Sequence, residues 1–115
     1  MELIVNNNLF NVKCVITTKD IQKGMMGKKF DKTFDGMLFI MKEGDHSFWM
    51  KNCIISLDII FINGNKINKI HNNCKPCNTP ECDRYTGNGD MILELKGGTC
   101  IKYDITEGDT IMLQD

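Results

Sequence analysis

The chain has 115 residues, 42% hydrophobic and 25% charged, with a net charge of -1 at pH 7 and a pI near 6.1. One domain of this length, residues 1–115, can bury a core without staples. The balanced charge gives no electrostatic reason to meet nucleic acid or an anionic membrane, and no apolar run is long enough to cross a bilayer.

The first segment, MELIVNNNLF, lacks the basic flank and long apolar stretch of a secretory signal. The expectation is therefore a cytoplasmic setting, and lysine and asparagine at exposed positions of short strands argue for a monomer. Glu2 to Val5 and Leu9 to Ile16 are short apolar runs split by Asn6, Asn7 and Asn8, which predicts a hairpin. Thr17-Thr18-Lys19-Asp20 has the capping pattern that starts a helix, and Ile21 and Met25 place apolar groups on one of its faces. Gly24 and Gly27 limit that helix to about residues 18–27. A polar loop, Lys28 to Gly36, follows.

Met37 to Met41 is an apolar run of strand length. Lys42 to Ser47 reads as a charged turn, and Phe48 to Met50 and Leu57 to Ile62 as strands. Asn63-Gly64 is the strongest hairpin signal, with Lys66 to His71 returning. Asn72 to Asn88 shows no period and reads as a long surface loop, rich in Cys, Pro, Asn and Gly. Met91 to Leu95 and Thr110 to Leu113 are the last strands, with one helical turn at Thr99 to Tyr103 between them. Alanine is absent and isoleucine plentiful, which also leans toward strands. The fold class expected is mainly β: a compact sandwich or barrel of short, mostly antiparallel strands with one short helix.

Asp58 stands alone among Leu57, Ile59, Ile60 and Ile62. Strand alternation puts Asp58 on a face with Ile60 and Ile62. A two-residue loop at Asn63-Gly64 would set it opposite Lys69 as a cross-strand ion pair, worth roughly 0.2–1 kcal/mol. The other reading has Asp58 lining a pocket, where it holds a ligand or a buried donor.

Six blocks, in order, carry a resemblance. They are Gly24-Met25-Met26, Gly36-Met37-Leu38-Phe39, Phe48-Trp49-Met50-Lys51-Asn52, Leu57-Asp58-Ile59, Leu93-Glu94-Leu95 and Gly108-Asp109. Together they resemble the domain-of-unknown-function 192 family over nearly the whole chain. The resemblance implies a compact β-fold with one short helix, and no activity, cofactor or catalytic residue. Its signature positions here are Met26, Met50, Asn52, Asp58 and Glu94. Met25, Cys53 and Ser56 depart from the family's usual leucine, threonine and proline. Relatives are often exported, a setting that this N-terminus does not suggest.

Cys74-Lys75-Pro76-Cys77 and Cys82 fall in the long loop, and three readings stay open. Cys77 and Cys82 form a disulfide, which suits an exported lineage. Alternatively, Cys74, Cys77 and Cys82 bind zinc with His71 or Cys100, although the second Cys pair of a standard zinc motif is missing. A redox pair would need a helix start that Pro76 and Asn78 do not provide. Cys14, Cys53 and Cys100 read as ordinary buried thiols. The many methionines could hold a soft metal, but they read first as core filler.

No nucleophile–base set or phosphate loop is present. The favoured function is a non-catalytic accessory module without cofactor, binding a small molecule or a protein partner through Trp49, Met50, Asn52, Asp58 and Met26. Trp49 and Asn52 would supply stacking and directed hydrogen bonds. One alternative is a hydrolase-like enzyme with Asp58 and Glu94 as paired carboxylates, which requires both to face one pocket. Another is a zinc-stapled interaction domain built on the cysteine loop.

Overall fold

Two asparagines make the first turn. Asn6 and Asn7 sit at φ 48° and 62°, the left-handed values that a tight hairpin needs and asparagine tolerates. In the computed structural model, which describes residues 1–115, this turn joins β1 (Glu2–Val5) to β2 (Asn8–Val15). Thr17 then caps α1 (Thr18–Lys23), its hydroxyl accepting the Asp20 N–H at 3.2 Å. The helix ends at Gly24, φ 45°, one turn earlier than Gly27.

The remaining elements are β3 (Gly36–Phe48), β4 (Leu57–Asn63), β5 (Lys66–Cys74), β6 (Tyr85–Lys96), α2 (Thr99–Lys102) and β7 (Ile111–Gln114). They form one sheet in the order β5-β4-β6-β3-β2-β1-β7. Only β2 and β3 pair in parallel. Parallel neighbours need a crossover, and α1 lies in it. The sheet curls until its ends approach: the Ile67 N–H donates to the Asp109 carbonyl, and the Ile111 N–H to the Asn65 carbonyl, both at 2.8 Å. The expected mainly β architecture is a curled half-barrel with two short helices.

The sheet buries both faces. Leu38, Ile60, Ile62, Leu93 and Leu95 point into the curl, with Leu3, Ile67 and Ile111. Met37, Phe39, Ile59, Phe61 and Ile92 point outward and pack under Met25, Met50 and Cys53. Burial on both faces explains why these strands read as unbroken apolar runs rather than alternating ones.

Several expected boundaries shift, and Phe48 to Met50 is no separate strand, since Phe48 ends β3. Lys42 to Ser47 is not a turn: β3 passes through a bulge after Ile40 and continues to Phe48, paired with Tyr85–Gly89. The irregular loop is shorter at both ends, because β5 runs on to Cys74 and β6 begins at Tyr85. Its glycines disguised it. A Cβ on Gly87 would lie 2.4 Å from Phe61 Cγ, and one on Gly89 2.6 Å from the Ile62 carbonyl oxygen. Those residues are glycine because the strand is crowded there.

Candidate functional site

Asp58 answers a structural need. It is fully buried on the inner face, and three backbone N–H groups donate to its carboxylate. Asn73 and Gly98 reach Oδ1 at 2.8 and 3.0 Å, and Cys100 reaches Oδ2 at 2.8 Å. Asn73 and Gly98 have positive φ, so the chain bends sharply at both places. Asp58 thus ties the end of β5 to the start of α2. Of the two sequence readings, the held buried donor survives. The ion pair with Lys69 does not form: the hairpin turns at Gly64-Asn65, a bulge follows, and Lys69 pairs with Phe61.

Glu94 points the other way. It neighbours Leu95, the cross-strand partner of Asp58, and strand alternation sends it to the outer face with Ile92. The two carboxylates therefore do not face one pocket, and an acid–base pair of Asp58 with Glu94 is not assembled. Glu94 is 3% exposed, and burial alone pushes its carboxyl up to about 8. No protein group donates a hydrogen bond to offset that burial.

Its carboxyl opens instead onto a cleft of about 450 Å³ between α1 and the sheet. Met25, Met26, Met41, Phe39, Phe48 and Trp49 supply apolar walls, and Cys53 lies beside them. Burial, and then the nearby Glu94, push the Cys53 thiol up to about 11, so it is no thiolate at neutral pH. The exposed Lys23 and Arg84 stand at the mouth, and the Arg84 guanidinium lies 4.1 Å above the Trp49 ring. His46 also lines the cleft, with Nε2 2.7 Å from the Lys42 carbonyl oxygen.

The sequence-predicted ligand set divides. Trp49 and Met26 reach the cleft. Met50 is 1% exposed and packs in the outer core instead. Asn52 is exposed at φ 60°, a value that asparagine tolerates, and its carbonyl accepts the Gly27 N–H. Asp58 lies on the opposite face. Sequence reasoning missed Phe39 and Met41, which the period-2 alternation from Met37 would have aligned. It also missed Arg84, the sole arginine of the chain.

The cysteine loop closes as a disulfide between Cys77 and Cys82. Cys74 is a buried free thiol in the outer core, and Cys100 a buried free thiol on the inner face. His71 Nε2 lies 2.8 Å from the Thr86 carbonyl oxygen, its ring edge-on to Phe61 and Tyr85. The residues of the zinc alternative are thus dispersed, and no three His, Cys, Asp or Glu side chains gather as a metal site. The loop is sewn to the Trp49 segment: the Cys77 N–H donates to the Met50 carbonyl, and the Asn52 N–H to the Cys77 carbonyl, both at 3.1 Å. No helix is long and apolar enough to cross a membrane.

Comparison with known proteins agrees with this fold. The model of the DUF192 family, described as Uncharacterized ACR, matches residues 2–113. A protein of unknown function from Novosphingobium aromaticivorans is similar in structure, with a TM-score of 0.85 and 25% identity over 97% of this chain and 84% of that one. A proposed transcription regulator from Sinorhizobium meliloti superposes with a TM-score of 0.82 and 25% identity, over 96% of this chain and 89% of that one. No curated protein matches.

Proposed function

This chain belongs to the DUF192 family, and we propose that it is a small-ligand-binding module without turnover, its site the cleft under α1. One observation carries the reading: Glu94 is a buried carboxyl without a protein partner, turned into an apolar cleft. Burial of an unpaired acid costs stability unless something binds there. Apolar walls with a small number of placed polar groups are the usual make-up of a ligand pocket. The absence of turnover rests on what surrounds Glu94. Asp58 is engaged by backbone on the other face, and the Cys53 thiol is held protonated.

The test is a fragment screen read at the site itself. Trp49 is the only tryptophan, so its emission reports the mouth. The methyl resonances of Met25, Met26 and Met41 report the walls. Binders should shift all of these signals and be recovered unchanged. Chemical conversion of a bound compound would refute the non-catalytic reading. Fragments that bind only elsewhere, leaving these signals still, would refute the site.

A further inference from the structure

We propose that the ligand of this cleft is a zwitterion, with an ammonium group on the Glu94 carboxyl, an apolar spacer along the walls, and an anionic group between Lys23 and Arg84. This rests on the small-ligand reading and names its chemical class.

The Glu94 carboxyl has no hydrogen-bond donor on it. The cleft that Glu94 faces is lined by thioethers, aromatic rings and a neutral thiol, together with Gln22, Lys23, His46, Ser47 and Arg84. None of them donates a hydrogen bond to the Glu94 carboxyl or offsets its burial by charge, and an ammonium group supplies both. The walls suit that charge. Phe39 and Phe48 are among the walls, and an aromatic ring attracts a desolvated cation, while methionine sulfur is polarizable. A neutral or purely anionic ligand would use neither property.

The mouth has the opposite sign. Lys23 comes from α1 and Arg84 from the end of the disulfide loop, and both are exposed. A simple amine would be repelled on entry. A molecule that trails an anionic group would be drawn in and oriented, amine first. Arg84 is already placed by its stacking on Trp49, so its donors are partly pre-organised.

Binding should also move a proton. With its carboxyl pushed up to about 8, Glu94 is mostly protonated at pH 7 and must release that proton to pair with an ammonium. The titratable and charged groups that face it are Lys23 of α1, His46 of β3, Cys53, Cys74 of β5 and Arg84. Cys53 and Cys74 are both pushed up to about 11 and stay neutral in this range.

The experiment is titration calorimetry of the intact protein with 6-aminohexanoate, hexylamine and hexanoate, in buffers of different ionisation heat. The expected order is 6-aminohexanoate tightest, hexylamine next and hexanoate weakest. Steps of about tenfold would correspond to one charged contact each. Proton release on binding should appear as buffer-dependent heat. Glu94→Gln should weaken both amines at least tenfold and leave hexanoate unchanged. Arg84→Gln with Lys23→Gln should weaken 6-aminohexanoate and spare hexylamine. Hexanoate binding as tightly as hexylamine, or an order unchanged in Glu94→Gln, would overturn the proposal. So would silence of all three probes. If the fragment screen still moved the Met and Trp49 signals, the cleft would remain a ligand site of another class. If it did not, the broader reading would fall as well.

Discussion

The Cys100 N–H donates to Asp58 Oδ2 at 2.8 Å, across 42 residues of chain. With Asn73 and Gly98 on the other oxygen, this bond joins β4, the end of β5 and the first turn of α2. Hydrogen bonds to an ionised group contribute more than neutral ones, and donors left unpaired inside the protein are costly. Asp58→Ala should therefore lower unfolding free energy by about 3 kcal/mol or more. Chemical denaturation would measure this. A loss below about 1 kcal/mol, the size of an exposed pair, would remove Asp58 from its structural role.

Glu94 should make the protein less stable as pH rises. Its folded carboxyl titrates near 8, against about 4.5 for an unburied glutamate, so between those values the folded state holds more protons than the unfolded state. Stability from this group is greatest below about pH 4.5 and is lost as pH rises through 8. Glu94→Gln should flatten that decline and stabilise the protein at pH 8.5 by several kcal/mol, to order of magnitude. Melting curves of both proteins from pH 5 to 9 would show it. Parallel curves would contradict the assignment.

The Cys77–Cys82 bridge closes a short loop, with a sequence separation of 5. Loop-closure entropy for such a length amounts to about 2 kcal/mol. Replacing both cysteines by serine should lower stability by about that much. It should also loosen the contact between Arg84 and Trp49, because Arg84 lies two residues after Cys82. Urea unfolding gives the first quantity and Trp49 emission the second. An unaltered Trp49 spectrum in the double serine variant would show that the bridge does not hold the mouth.

Gly87→Ala should be disruptive although Gly87 lies in a strand. The added methyl would meet the Phe61 ring at 2.4–2.9 Å. Overpacking of that kind costs about 1–3 kcal/mol. Phe61→Leu should relieve part of the loss, and a double-mutant cycle would quantify the coupling. Strictly additive effects would mean that the ring is not the obstacle.

Local signals in the chain determined much of the fold. Asn6-Asn7, the Thr17 cap, the Asn63-Gly64-Asn65 turn and the apolar runs ending at Ile62 and Leu95 each specify backbone geometry within a few residues. Short-range sterics and hydrogen bonding suffice for such elements. The six family blocks were likewise legible, as was the Cys77–Cys82 pairing, one of the readings open at that stage.

The functional side chains were decided by tertiary contacts. Asp58 and Glu94 looked alike as lone acids in apolar strands. One meets three backbone donors on the inner face, and the other meets none on the outer face. Register made that division. The turn at Gly64-Asn65 and the bulge after it set Lys69 against Phe61 rather than Asp58, and the pairing of Ile59 with Glu94 placed the two acids back to back. The cleft itself needs α1 from the β2–β3 crossover, Phe39 from β3 and Arg84 from the distant disulfide loop. Periodicity can say which residues share a face of one strand. Which donors or voids a face meets depends on segments far away in the chain, and only packing brings those together.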